Sequence, residues 1–307
     1  MKRLLLTLSI LASLALPAHA EKLSLMLDWF PNIDHLPIYV AQQEGMFTAR
    51  GLAVSVVSPS DTADAIKLAA AGQVDLAVSY QPQAVIAAAG GIPVRVVGRL
   101  IASPLTTLLY LKGSGIEKPS DLSGKRIGYT VPGLMDVMLA AFAGINGIRD
   151  YQAVNVGFAI AQSLTTRQVA AVMGPFKTYE TVTMGQKGIA TAYFELEKHG
   201  IPAYDELIFV TGAGTLAKRQ KALSDFTAAI AAAMMVIEKD PDRALADYFR
   251  ALPDADKETE TAAFRLTAPY YAKTQRCDAA RWQAFADFAL TAGLIDTAVD
   301  VRTVIAH

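Results

Sequence analysis

From residue 22 onward the chain alternates short apolar runs with stretches of helical spacing, and this alternation limits the possible folds more than any other feature. Residues 23–27, 52–57, 74–78 and 94–100 read as buried strands. Between them lie helical stretches at 36–44 and 61–72 and a third opened by Pro82, whose missing N–H costs nothing in a first turn. Asp61 followed by Asp64 has the spacing of a capping box, and Gly72 suits a helix end. A second block repeats the scheme, with strands at 105–111, 126–130, 154–156, 170–173 and 190–194, helices at 134–143 and 176–186, and a last strand at 207–210. The C-terminal third is helical. Phe226, Ile230, Met234 and Ile237 recur at spacings of 4, 4 and 3, and Trp282, Phe285, Phe288 and Ala289 make a second stripe. Both stripes read as core packing. Strands alternating with helices predict an α/β fold. With two such blocks it is two-lobed, each lobe a sheet flanked by helices, with a helical C-terminal tail. The chain is expected to cross between lobes near 105–112 and 205–212, so lobe 1 is discontinuous (21–107 plus 208–307) and lobe 2 is the insert (108–207). Ligands of open α/β sheets lie beyond the carboxyl ends of the strands, which places a cleft between the lobes, able to close on a hinge.

Composition narrows the function. Among 307 residues, Lys and Arg number 28 and Asp and Glu 29, with 52% hydrophobic and 19% charged. That balance excludes a disordered chain and a basic nucleic-acid binder. A single cysteine, Cys277, excludes a disulfide scaffold and a multi-cysteine metal site. Beyond His19 the histidines are His35, His199 and His307, too few for a His-rich centre, and neither G-x-G-x-x-G nor a Walker A loop is present. No metal and no cofactor are expected. Lys2 and Arg3, an apolar run over 4–16 and Ala18-His19-Ala20 have the form of a secretory signal peptide cleaved after Ala20. The run is too short to span a bilayer. The expectation is a soluble, monomeric, periplasmic protein.

The most specific stretch begins Leu27-Asp28-Trp29-Phe30-Pro31-Asn32-Ile33-Asp34-His35 and continues Pro37-Ile38-Tyr39-Val40-Ala41. It resembles the opening of the thiamine-pyrimidine family of periplasmic-binding-protein-like proteins, whose signature runs L-D-W-x-P-N-x-x-H-x-x-x-Y-V-A. Further likeness lies in the block from Lys67 to Pro82 and in the block from Lys118 to Gly128. The resemblance implies the type II periplasmic-binding-protein fold. It also implies one of two branches. The first consists of exported solute-binding components of ABC importers, which deliver formylaminopyrimidine- or hydroxymethylpyrimidine-like thiamine precursors to a permease and ATPase at the inner membrane. More distant relatives take sulfonates, nitrate or flavin-like compounds. The second is a eukaryotic enzyme that makes the pyrimidine phosphate and carries a C-C-C-F-C motif. With one cysteine and a leader, this chain fits the transport branch. No G-x-S-x-G, H-E-x-x-H or S-x-x-K-led set suggests an exported enzyme of the same fold, so no catalytic residue is assigned.

A flat aminopyrimidine needs aromatic faces and a carboxylate at its edge. Stacking on an aromatic ring is worth about 1–3 kcal/mol, and a charged acceptor roughly doubles the strength of a hydrogen bond. Trp29, after the first strand, and Tyr80, after the third, are placed to face the cleft, with lobe packing as the structural alternative. The resemblance adds Asn32 and His35 to the site; the alternatives are a turn or N-cap and a structural histidine. Asp28 bonds either ligand or loop. In the second lobe, Gly174-Pro175-Phe176-Lys177-Thr178-Tyr179-Glu180 resembles the family's G-x-x-x-x-Y-E segment. Glu180 is the expected edge-binding carboxylate, and Tyr179 stacks or packs. Phe176-Lys177 replaces a tryptophan common in related transport proteins. Lys177 therefore opens a rival reading, an anionic or carbonyl-bearing ligand such as a sulfonate, nitrate, riboflavin or another heterocycle.

Overall fold

A computed structural model describes residues 20–306, so the leader assigned to residues 1–20 lies, apart from Ala20, outside the described residues. The first block supplies β1 (Glu21–Met26), α1 (Leu36–Gln43), β2 (Leu52–Val57), α2 (Asp64–Ala70), β3 (Leu76–Ser79), α3 (Gln81–Ala89) and β4 (Val94–Ile101). The second supplies β5 (Thr106–Leu111), β6 (Arg126–Tyr129), α4 (Met135–Asn146), β7 (Gln152–Asn155), α5 (Ile160–Thr165), β8 (Ala171–Phe176), α6 (Glu180–Gln186) and β9 (Thr191–Glu195). Then follow β10 (Leu207–Gly212), α7 (Ala213–Lys239), α8 (Pro241–Ala251), α9 (Lys257–Thr267) and α10 (Ala279–Thr291).

These strands form two five-stranded sheets, ordered β2-β1-β3-β10-β4 and β7-β6-β8-β5-β9. In the first, β1 runs parallel to β2 and β3, and β10 is antiparallel to β3 and β4. The second repeats the plan: β6 is parallel to β7 and β8, and β5 is antiparallel to β8 and β9. Each antiparallel strand is the first that the chain lays down after passing between sheets. The segments expected to be crossings are therefore strands of the sheets they enter, and the passages lie just before them, at 102–105 and 196–206. Lobe boundaries drawn at 107/108 and 207/208 fall inside β5 and β10. Every residue of β3 and β10 is buried, as expected of strands covered by helices on both faces.

Two local expectations change. Asp61 does not cap a helix: its Oδ1 accepts the Ala63 N–H at 2.9 Å in a tight turn, and α2 begins at Asp64. Phe176 is not helical but ends β8, and α6 starts only at Glu180. The stripe on α7 is core, as its spacing indicates. Phe226 is fully buried, stacked on Phe47 at 5.3 Å and edge-on to Phe209 at 5.0 Å.

Two adjacent acids fix the passages. Glu206 accepts the N–H groups of Leu105 and Thr106 at 2.5 and 2.7 Å and the Thr106 hydroxyl at 2.7 Å, tying one passage to the other. Asp205, with no exposure, accepts from Arg99 Nη2 at 2.6 Å, from Trp282 Nε1 at 2.8 Å and from Arg281. Breaking a buried ion pair by removing one partner leaves uncompensated charge and costs about 3–5 kcal/mol. Asp205→Ala is expected to lose about that much in urea unfolding; a loss under about 1 kcal/mol would remove the role assigned to it.

Candidate functional site

The cleft opens where the parallel strands of both sheets end. β1 runs out into Leu27 and Asp28, β3 into Tyr80, β6 into Thr130, and β8 delivers Gly174 and Phe176. Side chains from these ends enclose a narrow cavity of about 370 Å³, counted to its open mouth.

The loop after β1 is held by its own polar side chains. Asn32 Oδ1 accepts the Asp34 N–H at 2.8 Å, capping the 3-10 turn Ile33–His35. The Asn32 N–H donates to His35 Nδ1 at 3.3 Å. An accepting Nδ1 leaves Nε2 to carry the proton, and Nε2 lies 2.9 Å from Asp28 Oδ1. The Tyr80 hydroxyl donates to Asp28 Oδ2 at 2.7 Å. Burial and the neighbouring Asp28 carboxylate raise the Tyr80 phenol well above its usual range, so it stays a donor. Asp28 thus has both oxygens engaged by side chains, not by loop backbone. It aligns Tyr80 and His35 across the cavity floor, and Asn32 shapes the turn beside them.

Trp29 leaves this loop toward the other sheet, packing edge-on against Phe158 with ring centroids 4.5 Å apart. It lines the cavity together with Tyr80, Tyr179 and Glu180. Phe176 stands edge-on to Tyr80 at 6.5 Å and supplies apolar surface in the segment where a tryptophan is common. The Tyr179 hydroxyl is turned outward to Glu260 of α9, to which it donates at 2.9 Å. Glu180, the first residue of α6, reaches back to accept the Phe176 N–H on Oε2 at 2.6 Å. Burial pushes its carboxyl up to about 7, against the backbone bonds that lower it, and the Asp28 charge adds to the rise.

Lys177 does not line the cavity. Its Nζ lies 2.9 Å from Glu195 Oε2 and 2.8 Å from Glu197 Oε1 and sits over the Tyr270 ring at 5.3 Å. Burial alone would lower this amine; the two glutamates reverse that and hold it charged. A β-strand alternates its faces, so the residue after β8 turns away from the side that Phe176 occupies. The set of cleft residues expected from sequence therefore loses its one lysine.

Residues that the sequence did not mark include Thr130, Ile160 and Leu207, which fill the walls, and Asp34. Gly174 has φ +124, and a Cβ there would stand 2.0 Å from Thr130 Oγ1. Only glycine permits both this backbone and this approach. Its place in a glycine-led segment was the available signal. Asp34 was hidden inside the motif at a variable position.

A sequence profile described as NMT1/THI5 like matches residues 32–244. The chain belongs to this family. A Haemophilus influenzae protein named for thiamine biosynthesis is 40% identical, aligned over 94% of this chain and 93% of that protein. A formylaminopyrimidine-binding protein of Halalkalibacterium halodurans is 32% identical over 73% and 69%. At 26% identity, over 85% and 83%, stands a 4-amino-5-hydroxymethyl-2-methylpyrimidine phosphate synthase of Legionella pneumophila, so proteins with the synthase name are not confined to eukaryotes. Among solved structures, the alkanesulfonate-binding protein of Xanthomonas axonopodis superposes with a TM-score of 0.73 at 16% identity, over 93% of this chain and 98% of that one. The fold is that of the periplasmic binding proteins.

The raised carboxyl has a measurable consequence. An acid whose folded pKa lies above its unfolded value of 4.5 stabilises the fold fully below that value, and the contribution fades as pH rises through the folded value of about 7. A shift of that size is worth on the order of 3 kcal/mol. Thermal melting of the ligand-free protein between pH 5 and about 8 is expected to fall with pH, and Glu180→Gln to flatten part of that slope. An unchanged slope in the variant would show that Glu180 ionises normally.

Proposed function

We propose that this protein is a solute-binding component of an ABC importer, that it works in the periplasm as a monomer, and that it takes a thiamine-pyrimidine precursor of the formylaminopyrimidine or hydroxymethylpyrimidine kind. The observation that carries the reading is the charge of the cavity. Its lining includes the carboxyls of Asp28, Asp34 and Glu180 and, among the described residues, no lysine or arginine. Such a site favours a ligand that presents N–H donors and disfavours a sulfonate or nitrate. The anion reading rested on Lys177 and the missing tryptophan; Glu195 and Glu197 neutralise the lysine, and Phe176 supplies an aromatic face in that segment. Trp29, Tyr80 and Phe176 offer the faces a flat ring requires. The name of the Halalkalibacterium relative supports the same ligand class.

A binding role is also favoured over a synthase role. The cysteine-rich motif that the resemblance gives the synthase branch is absent, and Cys277 is the only cysteine. Burial pushes that thiol up to about 12, which keeps it protonated and unreactive. Delivery to a permease and ATPase follows from the class of protein, and the leader at residues 1–20 supports export.

The test is a thermal-shift and calorimetric screen of protein unfolded and refolded to strip any carried ligand. The panel holds formylamino- and hydroxymethyl-pyrimidine, taurine, an alkyl sulfonate, nitrate and riboflavin. A ligand at 100 times its Kd adds about 2.7 kcal/mol of stability. A pyrimidine is expected to give that shift, with Glu180→Ala weakening binding at least about tenfold, or roughly 1.4 kcal/mol. Glu180→Gln, which keeps an acceptor and gains a donor, is expected to retain most of the affinity. A shift with anions or flavin alone would overturn the ligand and leave the fold assignment standing.

A further inference from the structure

Asp34 lies in the cavity beside Glu180 and is almost fully buried, at 1% exposure. Its Oδ1 accepts the Thr267 hydroxyl at 3.2 Å, but its Oδ2, also buried, has no hydrogen-bond partner among the described residues. The charged and titratable groups around it offer no compensation. Glu180 on α6, Asp28 on the loop after β1 and Glu260 on α9 are acids, and Tyr271 adds a phenol whose own hydroxyl donates to the Ile33 carbonyl. His35 spends its Nε2 proton on Asp28. Burial first, and then the Glu180 charge, raise the Asp34 carboxyl well above its usual range.

We infer that Asp34 is a specificity-determining residue whose free oxygen receives a protonated amine, so that the preferred ligand is an aminopyrimidine bearing a cationic aminomethyl arm. This deepens the pyrimidine reading and rests on it. A neutral arm would be served as well by an amide at position 34, without the cost of burying an acid. A carboxyl with an unpartnered oxygen beside a second carboxyl is suited to a cation, which offsets the repulsion between the two. A metal ion is a poorer occupant: among the described residues no three His, Cys, Asp or Glu side chains stand together to hold one.

Three probes decide this: 4-amino-5-aminomethyl-2-methylpyrimidine, its N-formyl derivative and the 5-hydroxymethyl compound, each titrated by calorimetry into refolded wild-type protein and Asp34→Asn. The amine is expected to bind wild type at least about 30-fold more tightly than either neutral compound, equivalent to roughly 2 kcal/mol. Asp34→Asn is expected to bring that ratio below about threefold while leaving the Kd of the neutral compounds within about threefold of wild type. A merely structural role for Asp34 would weaken all three alike and leave the ratio intact, which overturns the inference. Equal or tighter wild-type binding of a neutral compound also overturns it, and that result needs no variant that folds. If no pyrimidine binds at all, the functional reading falls with it; if pyrimidines bind without regard to the arm, only the role of Asp34 falls.

Discussion

The structure depends on two consecutive buried acids at the point where the chain returns to its first sheet. Glu206 binds the backbone of residues 105 and 106, where the chain first left that sheet. Asp205 faces the other way, into Arg99 of β4 and Arg281 and Trp282 of α10. One carboxylate therefore ties the two passages to each other, and the next anchors them to the body of the first lobe. Burial pushes Glu206 up to about 7, although its backbone and hydroxyl donors pull it down. Two of its three bonds to residues 105 and 106 come from main-chain N–H groups that would otherwise be buried without partners, and the third from the Thr106 hydroxyl. Because β5 and β10 are each integrated as the fourth strand of a sheet, the part of each connection that lies outside the sheets is reduced to the segments before them.

This arrangement decides what the cleft can be. Strand ends from both sheets point at each other across the passages, and the contacts that join the lobes surround the cavity itself. The Thr62 hydroxyl donates to the Thr130 carbonyl at 2.8 Å, Trp29 meets Phe158, and Tyr179 meets Glu260. Each joins a residue of one sheet's block to a residue of the other's. The cavity walls are thus completed by the same contacts that hold the lobes together, and separating the lobes would open the site to water. Burial of Asp34 and Glu180, and hence their reluctance to ionise, belongs to the closed arrangement.

Much of this was legible in the sequence, and the parts that were not share a cause. Apolar periodicity located the strands because a strand covered on both faces must be apolar throughout, as β3 and β10 are. The block from Asp28 to His35 could be read because its hydrogen bonds are short-range: Asn32 to Asp34, Asn32 to His35, Asp28 to His35. Lys177 was misread because its partners, Glu195 at the end of β9 and Glu197 just after it, follow beyond α6, where no local spacing announces them. Asp34 went unmarked because its significance lies in Glu180, on the other lobe. The end of β8 was placed too early since Gly174 and Pro175 look like a loop, whereas the close approach to Thr130 makes a glycine necessary within the strand.

The fate of Lys177 also bears on how one fold serves different ligands. A lysine three residues before the candidate edge-binding carboxylate looks like the means of turning a cation-accepting cleft into an anion-accepting one. The Glu195–Glu197 pair prevents this by providing a second, better-matched place for the ammonium, beneath the Tyr270 ring and outside the cavity. Two acids there hold the cation more firmly than a transient anion could. Withdrawing one positive charge leaves Asp28, Asp34 and Glu180 uncompensated by any lining cation. Of these only Asp28 has both oxygens engaged by side chains, those of Tyr80 and His35. The acids left over are Asp34 and Glu180, and in a water-poor cleft a ligand that lets them ionise gains most, which is the strongest instruction the site gives about what enters it.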